Sequence, residues 1–252
     1  MAEVLVKSLY KAMQLLSYFD AKHPEWGISE LSKKSNTLKS TVYNILSTLE
    51  VCDILQKNPA NGKYSLGIKT LEMGNIYLSS NNSYEIIRGY MEQVSNNIGE
   101  SVHLARLSDF EVIYIATAAP RSYSTRSIAG YRTDIHSTAI GKVLLSHTSP
   151  EYVEAYFEKV FRKGAEAHTT HTITDEAKFR EELRWVREHG YAMDNVEHEY
   201  GIRCMSVPLR NSKGQIHLAM SISAPSPRLE DEKIPTYLEM LQRSADEISL
   251  RI

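Results

Sequence analysis

The sequence predicts an α+β protein in two parts, a small N-terminal domain of helices closed by a hairpin and a larger domain built on a central, mainly antiparallel sheet. Three observations predict it. Residues 27–50, GISELSKKSNTLKSTVYNILSTLE, read as two short helices joined by a tight turn. Beyond residue 100, helical spacing gives way to β-branched runs bounded by turns, with helices between them and a long hairpin near the end. Between the two parts lies Ser79-Ser80-Asn81-Asn82-Ser83, the most polar stretch of a chain whose 252 residues exceed one typical domain.

In chain order, residues 4–19 form an amphipathic helix, with Leu5, Leu9, Ala12, Leu16 and Phe19 on one face and Lys7 and Lys11 off it. His23-Pro24-Glu25-Trp26-Gly27 ends it, because proline and glycine do not both continue a helix. Residues 29–35 form the next helix, with Leu31 inward, and Asn36 and Thr37 make the turn. Val42, Ile45, Leu46 and Leu49 then recur at i, i+3, i+4 and i+7, the buried stripe of a helix. Its opposite face carries Lys39, Ser40, Thr41, Tyr43, Asn44 and Ser47. These donors and acceptors with a single charge suit a helix that enters a DNA major groove, although an ordinary solvated face has the same composition.

Strands at residues 54–57 and 63–66 flank a turn in which Asn61-Gly62 supplies positive φ. Helices followed by a hairpin make a winged helix, whose wing carries Lys57, Asn58, Asn61 and Lys63 toward a phosphate backbone. Residues 68–78 are helical, with Leu71, Gly74 and Leu78 on one side. The expected division is a winged helix-turn-helix domain over residues 1–67, a linker helix and hinge over 68–83, and the second domain over 84–252.

The second domain opens with a helix over 84–98. Strands follow at 101–107 and 112–116, then a loop rich in Ser, Thr and Arg over 120–130. Helices are expected at 138–146, 150–157 and 175–189, with Phe179, Leu183 and Val186 inward on the last. Strands at 204–209 and 215–223 are joined by Asn211-Ser212-Lys213-Gly214, and a helix over 230–248 ends the domain.

Composition narrows the function. With 42% hydrophobic and 24% charged residues the chain is ordinary globular protein, and no apolar run is long enough to span a bilayer. No signal-peptide pattern is present, so a cytoplasmic location is expected. Cys52 and Cys204 are too few and too far apart for a disulfide framework or a cysteine-rich zinc site. The net charge of −2 hides an asymmetry: residues 1–80 hold nine lysines, no arginine and seven acids, leaving the acidic excess in the remainder.

Taken together, the chain resembles the IclR family of bacterial transcriptional regulators over residues 9–248. In the first domain the resemblance rests on Ser40-Thr41-Val42 with Leu46, Thr48 and Leu49, then Lys63-Tyr64-Ser65-Leu66-Gly67. In the second it rests on Gly130, His136, Thr138-Ala139, Gly141-Lys142 and Leu145, on Gly190-Tyr191, Asp194, Glu197, Gly201, Cys204 and Pro208, and on Ser221, Ser223 and Pro225.

The resemblance implies a homodimeric or homotetrameric DNA-binding repressor or activator with a GAF-like effector domain that binds a small organic acid, regulating a carbon-catabolism operon without a cofactor. The implied effector site is Thr138, Ala139 and Ile140, by backbone or hydroxyl, with Asp194, Cys204, Ser221 and Ser223. Helix N-terminal N–H groups suit an anion, and Ser221 and Ser223, two apart on a strand, share a face. Asp194 or Glu197 serves equally well as a structural cap. Tyr123, Tyr131 and Ile128 at the pocket mouth fit a sugar acid, a keto acid or an aromatic acid. His103 and His136 are expected to find backbone partners and not metal, since no second ligand sits near either at metal spacing, and Lys142 is expected on a solvated face.

Two departures bear on DNA binding. Asn44 stands where the family usually carries Arg, and no arginine precedes Arg88, so guanidinium forks are absent from the winged helix. Asp53 stands at the family's usual glycine and tolerates positive φ better than most residues. Two other functions fit the same residues: an enzyme acting on a small acid with Cys204 as nucleophile, and a DNA-binding protein that no longer senses a ligand.

Overall fold

The computed structural model describes residues 5–80, 82–120 and 129–252, which fall into two compact units, Met1–Ser80 and Asn81–Ile252. The first holds α1 (Lys7–Leu16), β1 (Glu25–Trp26), α2 (Ile28–Lys34), α3 (Lys39–Val51), β2 (Leu55–Lys57), β3 (Tyr64–Leu66) and α4 (Ile68–Ser79). Leu15, Phe19, Leu31, Val42, Leu46, Leu55 and Tyr64 form its core. The hairpin β2–β3 turns at Gly62, φ +69°, and takes a third antiparallel strand in the order β1-β3-β2. β1 occupies what the sequence offers only as a helix break. Two residues carry no periodicity, and β1 is fixed instead by pairing of Trp26 with Tyr64 and by the Trp26 indole N–H donating to Tyr18 O at 2.8 Å.

α1 is shorter than expected and turned differently. Leu15 lies in the core, whereas Leu5 and Leu9, expected inward, are 86% and 61% exposed. Asp53 does adopt positive φ, +57°, and its carbonyl lies so near Gly67 that a Cβ there would meet it at 2.2 Å. This close approach explains the glycine that begins α4.

The second unit holds α5 (Asn82–Ile98), β4 (Ser101–Ser108), β5 (Glu111–Ala118), β6 (Arg132–Thr133), α6 (Ala139–Ser146), α7 (Pro150–Lys159), α8 (Glu176–His189), β7 (Ala192–Asn195), β8 (Ile202–Arg210), β9 (Ile216–Pro225) and α9 (Ile234–Ser249). Its six strands pair antiparallel in the order β6-β5-β4-β9-β8-β7. β6 and β7 were not expected, since neither is long enough to show alternation. One sheet face buries Leu104, Met205, Val207, Met220 and Ile222, and α5 and α9 pack against the sheet and each other. The other face offers Ala105, Ala192, Ala219 and Cys204, small residues that admit α6. Every residue of α6 is buried. The expected loop at 120–130, with Tyr123 and Ile128, lies largely outside the described residues, as does Asn81.

α6 starts where the chain folds back on itself. The Thr138 hydroxyl caps the helix, accepting from Gly141 N at 3.2 Å and donating to Asp134 O at 3.1 Å. A Cβ on Gly141 would lie 2.4 Å from Ile135 O. Gly141→Ala therefore forces the 134–138 segment off the helix and is expected to cost about 1–3 kcal/mol, the range for overpacking a buried site. Trp26 and Trp185 lie in different units, so fluorescence-detected urea unfolding of single-tryptophan variants reads each unit. The midpoint reported by Trp185 should fall and that reported by Trp26 should hold, and no loss at Trp185 would mean that the segment yields without cost.

Candidate functional site

In the first unit, α3 buries Val42 and Leu46 and leaves Lys39, Ser40, Tyr43 and Asn44 in solvent, with Thr41 and Ser47 half-buried. One helix face thus collects hydroxyl, phenol, amide and ammonium groups. Its N-cap position is Leu38, whose side chain cannot accept a hydrogen bond, so the first-turn N–H groups meet no capping side chain. On the wing, the Lys57 ammonium lies 5.5 Å from the centroid of the Tyr64 ring. Lys63 is engaged already: its ammonium donates to Glu30 Oε1 at 2.9 Å, while Glu30 Oε2 accepts from Gly27 N at 2.7 Å. It meets a phosphate only by leaving Glu30.

In the second unit, strand register gathers the predicted sheet residues. Asp194, Cys204 and Ser223 lie opposite one another across β7, β8 and β9, and the adjacent row runs Ala192, Ser206, Ser221, His103 and Thr117. Direct antiparallel partners face the same side. The Cys204 thiol donates to Ser223 Oγ at 3.4 Å, and burial, with Asp194 near, pushes it far above the ordinary thiol range. A thiol kept in its neutral form is a poor nucleophile, which counts against the Cys204 enzyme. His103 pairs with a side chain and not with backbone: Nδ1 meets Thr117 Oγ1 at 3.1 Å, and burial lowers its pKa to about 4.

Asp194 is 1% exposed and caps the turn that follows β7, accepting from Glu197 N at 2.6 Å and His198 N at 3.4 Å. The turn is strained at Val196, φ +65°, and is held from outside by Thr169 Oγ1 donating to Val196 O and Thr172 Oγ1 donating to Glu197 O, both at 2.6 Å. Burial raises the Asp194 pKa to about 6 and pushes Glu197 above its ordinary range. Lys142, expected on a solvated face, is 1% exposed. Its ammonium donates to Glu197 Oε1 at 2.7 Å, Met193 O at 3.0 Å and Glu182 Oε1 at 3.1 Å. On a helix buried all round, a lysine has no solvated side to take.

The same turn reaches the start of α6. His198 Nδ1 lies 2.8 Å from Ser137 Oγ, Ser137 also bonds Asp134 Oδ1, and Thr138 caps the helix. The predicted Thr138 hydroxyl is therefore committed to the cap, while Ala139 and Ile140 carry first-turn N–H groups ahead of the first intrahelical bond, Lys142 N to Thr138 O. The sequence reading missed Asp134, Ser137, His168 and His198. Asp134 and His168 stand within 4.8 Å of His136, contrary to the expectation that no ligand lies near it. Their separation along the chain hid them, and only the Asp134-x-His136 spacing was visible. Burial pushes the Asp134 carboxyl up, but His136, Ser137, His168 and His198 together hold it below its ordinary value. A cleft of about 490 Å³ at the β8–β9 hairpin, lined by Arg106, Lys213 and His217 among others, contains none of the predicted residues.

Comparison with known proteins bears on both units. Residues 8–59 match the IclR helix-turn-helix domain, and residues 75–250 match the bacterial transcriptional regulator IclR C-terminal domain. The chain is 34% identical over 252 residues to the HTH-type transcriptional regulator KdgR of Escherichia coli, covering 98% of this chain and 93% of that one. An IclR transcriptional regulator from Alicyclobacillus acidocaldarius superposes with a TM-score of 0.85 at 27% identity, covering 98% and 99% of the two chains. An IclR homolog from Microbacterium hydrocarbonoxydans, crystallised with 4-hydroxybenzoate, shares the fold with a TM-score of 0.81 at 22% identity, covering 97% and 98%.

Asp194 makes stability depend on pH in a defined direction. Its folded pKa of about 6 exceeds the ordinary 3.8, so the folded protein holds this proton more tightly than the unfolded chain. The ionised group is a cost above pH 6 that disappears as pH falls from about 6 toward 4. Asp194→Asn keeps an acceptor for the cap without the charge. Its stability relative to the parent should therefore be on the order of 2 kcal/mol more favourable at pH 7.5 than at pH 4.5. A difference that stays constant across this range in urea unfolding would contradict it.

Proposed function

This chain belongs to the IclR family of bacterial transcriptional regulators, DNA-binding proteins with a ligand-binding C-terminal domain, and on that premise we propose that a small organic acid held at the start of α6 controls its affinity for an operator. The observation that carries the proposal is the bonded path from the first turn of α6 to the sheet. Ser137 precedes the Thr138 cap and bonds His198, and His198 belongs to the turn that Asp194 caps, in register with Cys204 and Ser223.

In this reading the N–H groups of Ala139 and Ile140 receive the carboxylate, and Ser221 and Ser223 hydrogen-bond its substituents. Asp194, whose pKa burial raises to about 6, takes up a proton at less cost than an ordinary carboxyl when an anion binds beside it. Binding of 4-hydroxybenzoate by the Microbacterium homolog supports an acid as the chemical class. The protein would act on a carbon-catabolism operon in the cytoplasm; no helix among the described residues is long and apolar enough to cross a membrane.

On the DNA side, Lys39, Ser40, Thr41, Tyr43, Asn44 and Ser47 present α3 to the major groove, and Lys57 and Lys63 meet phosphates. Self-association completes a two-half-site reader. Exposed Leu5, Leu9, Tyr10 and Met13 in and beside α1, with Ile68, Leu71, Met73, Ile76 and Tyr77 of α4, support pairing through these helices.

Two measurements test the proposal. In thermal unfolding against a panel of small carboxylic acids, one acid should raise the midpoint; at a hundred times its Kd, mass action supplies about 2.7 kcal/mol. Ser221→Ala should lose the shift, and a panel without any response would leave a DNA-binding protein that senses no small acid. With duplexes selected from a random pool, Asn44→Ala should weaken binding and relax base preference by about 1–3 kcal/mol at one position. Lys39→Ala should weaken all sequences alike and reduce the salt slope by about one. Unchanged affinity and preference in Asn44→Ala would remove that residue from the reading head.

A further inference from the structure

We propose that Asp134, His136 and His168 form a binding site for one divalent first-row transition cation, Zn²⁺ or a neighbour that accepts imidazole nitrogen. The ligand atoms of the three side chains all lie within 4.8 Å of one another. Two imidazole nitrogens and a carboxylate oxygen suit such cations and are poor partners for Mg²⁺. With metal–ligand bonds of about 2.0–2.2 Å a tetrahedral ion spaces its ligand atoms about 3.4 Å apart, so a pair as wide as 4.8 Å draws in by about 1.4 Å to share one ion.

The argument turns on His136. Its side chain is 3% exposed. The ring packs edge-on against Phe161 and Phe179, and Nε2 lies 2.9 Å from Glu166 O. A carbonyl only accepts, so the proton sits on Nε2. Nδ1 points inward, buried without a hydrogen-bond partner, 3.4 Å from Asp134 Oδ1. A buried ring nitrogen that makes no hydrogen bond thus stands opposite a carboxylate oxygen, an arrangement that a cation shared between the two would satisfy.

The surroundings match the second shell that a metal histidine needs. The Nε2–H of His136 is oriented by a backbone carbonyl, and Asp134 Oδ1 accepts from Ser137 N at 3.2 Å and from Ser137 Oγ. The remaining oxygen, Asp134 Oδ2, faces His168 Nε2 at 2.5 Å, and His168 stacks edge-on against His198 with ring centroids 4.9 Å apart. Without metal, Asp134 Oδ2 and His168 Nε2 meet each other directly. A cation held by the two would take the place of that contact. Asp134 and His168 keep about a quarter of their surface exposed, which gives the ion a way in. The ion would tie the segment before α6 to the loop around residue 168 and does not depend on which acid the effector site takes.

The test uses the untagged full chain, stripped with a chelator and dialysed. Calorimetric titration with Zn²⁺ should give one ion per chain, and Co²⁺ should develop the visible absorption of a nitrogen–oxygen site. His168→Ala and Asp134→Asn, each checked for parent-like folding by circular dichroism, should weaken Zn²⁺ at least tenfold and abolish its stabilisation in thermal unfolding. His171→Ala, at an exposed histidine three residues away, should leave binding unchanged. Absence of stoichiometric binding overturns the proposal, as does equal binding by the parent, His168→Ala and Asp134→Asn.

Discussion

A single buried ammonium holds the second unit's polar centre together. Lys142 projects from a helix with no solvated face and finds its three acceptors on α8, on β7 and in the turn after β7. Removing a charge from water is expensive, and the pair with Glu197 offsets that cost only because Met193 O and Glu182 satisfy the remaining N–H groups. Losing either partner would strand a charge in the interior. α6, α8 and the 194–198 turn are therefore fixed relative to one another by electrostatics as much as by packing.

That constraint positions the proposed effector site. Held by Lys142, Thr169 and Thr172, the 194–198 turn tolerates a positive φ at Val196, a conformation that a β-branched residue does not adopt unaided. The same turn delivers His198 to Ser137 and buries Asp194 until its pKa approaches neutrality. The site is thus built by over-determining one turn. The neighbouring His136 is held by Glu166 O and two phenylalanine rings with its buried Nδ1 making no hydrogen bond.

The first unit follows different physics. Its core is small, its wing sheet is pinned by Trp26 and Tyr64, and the exposed groups proposed to face the groove are lysines and neutral donors with no arginine. Ammonium groups are strongly hydrated point charges that contribute affinity without the geometric register of a guanidinium fork. In the proposed reading, base discrimination therefore rests on Asn44, Tyr43 and the hydroxyls. Because Lys63 is paired with Glu30, the positive potential at the wing is smaller than the lysine content implies.

How much of this was legible beforehand follows from the range of each interaction. Local periodicity marked the stripe of Val42 and Leu46, the Asn61-Gly62 turn, the β4–β5 and β8–β9 hairpins and the longer helices, because each is written within a few consecutive residues. The Asp194–Cys204–Ser223 row was legible only through resemblance, since register across three strands is not encoded at any one of them. What tertiary structure alone decided was long-range or lacked a period. The outward turn of Leu5 and Leu9, the two-residue β1, the burial of Lys142 and the meeting of Asp134 with His136 and His168 all depend on which distant surface arrives to cover or charge a side chain. A sequence states which faces are apolar; only the packed chain decides where a charge can be afforded.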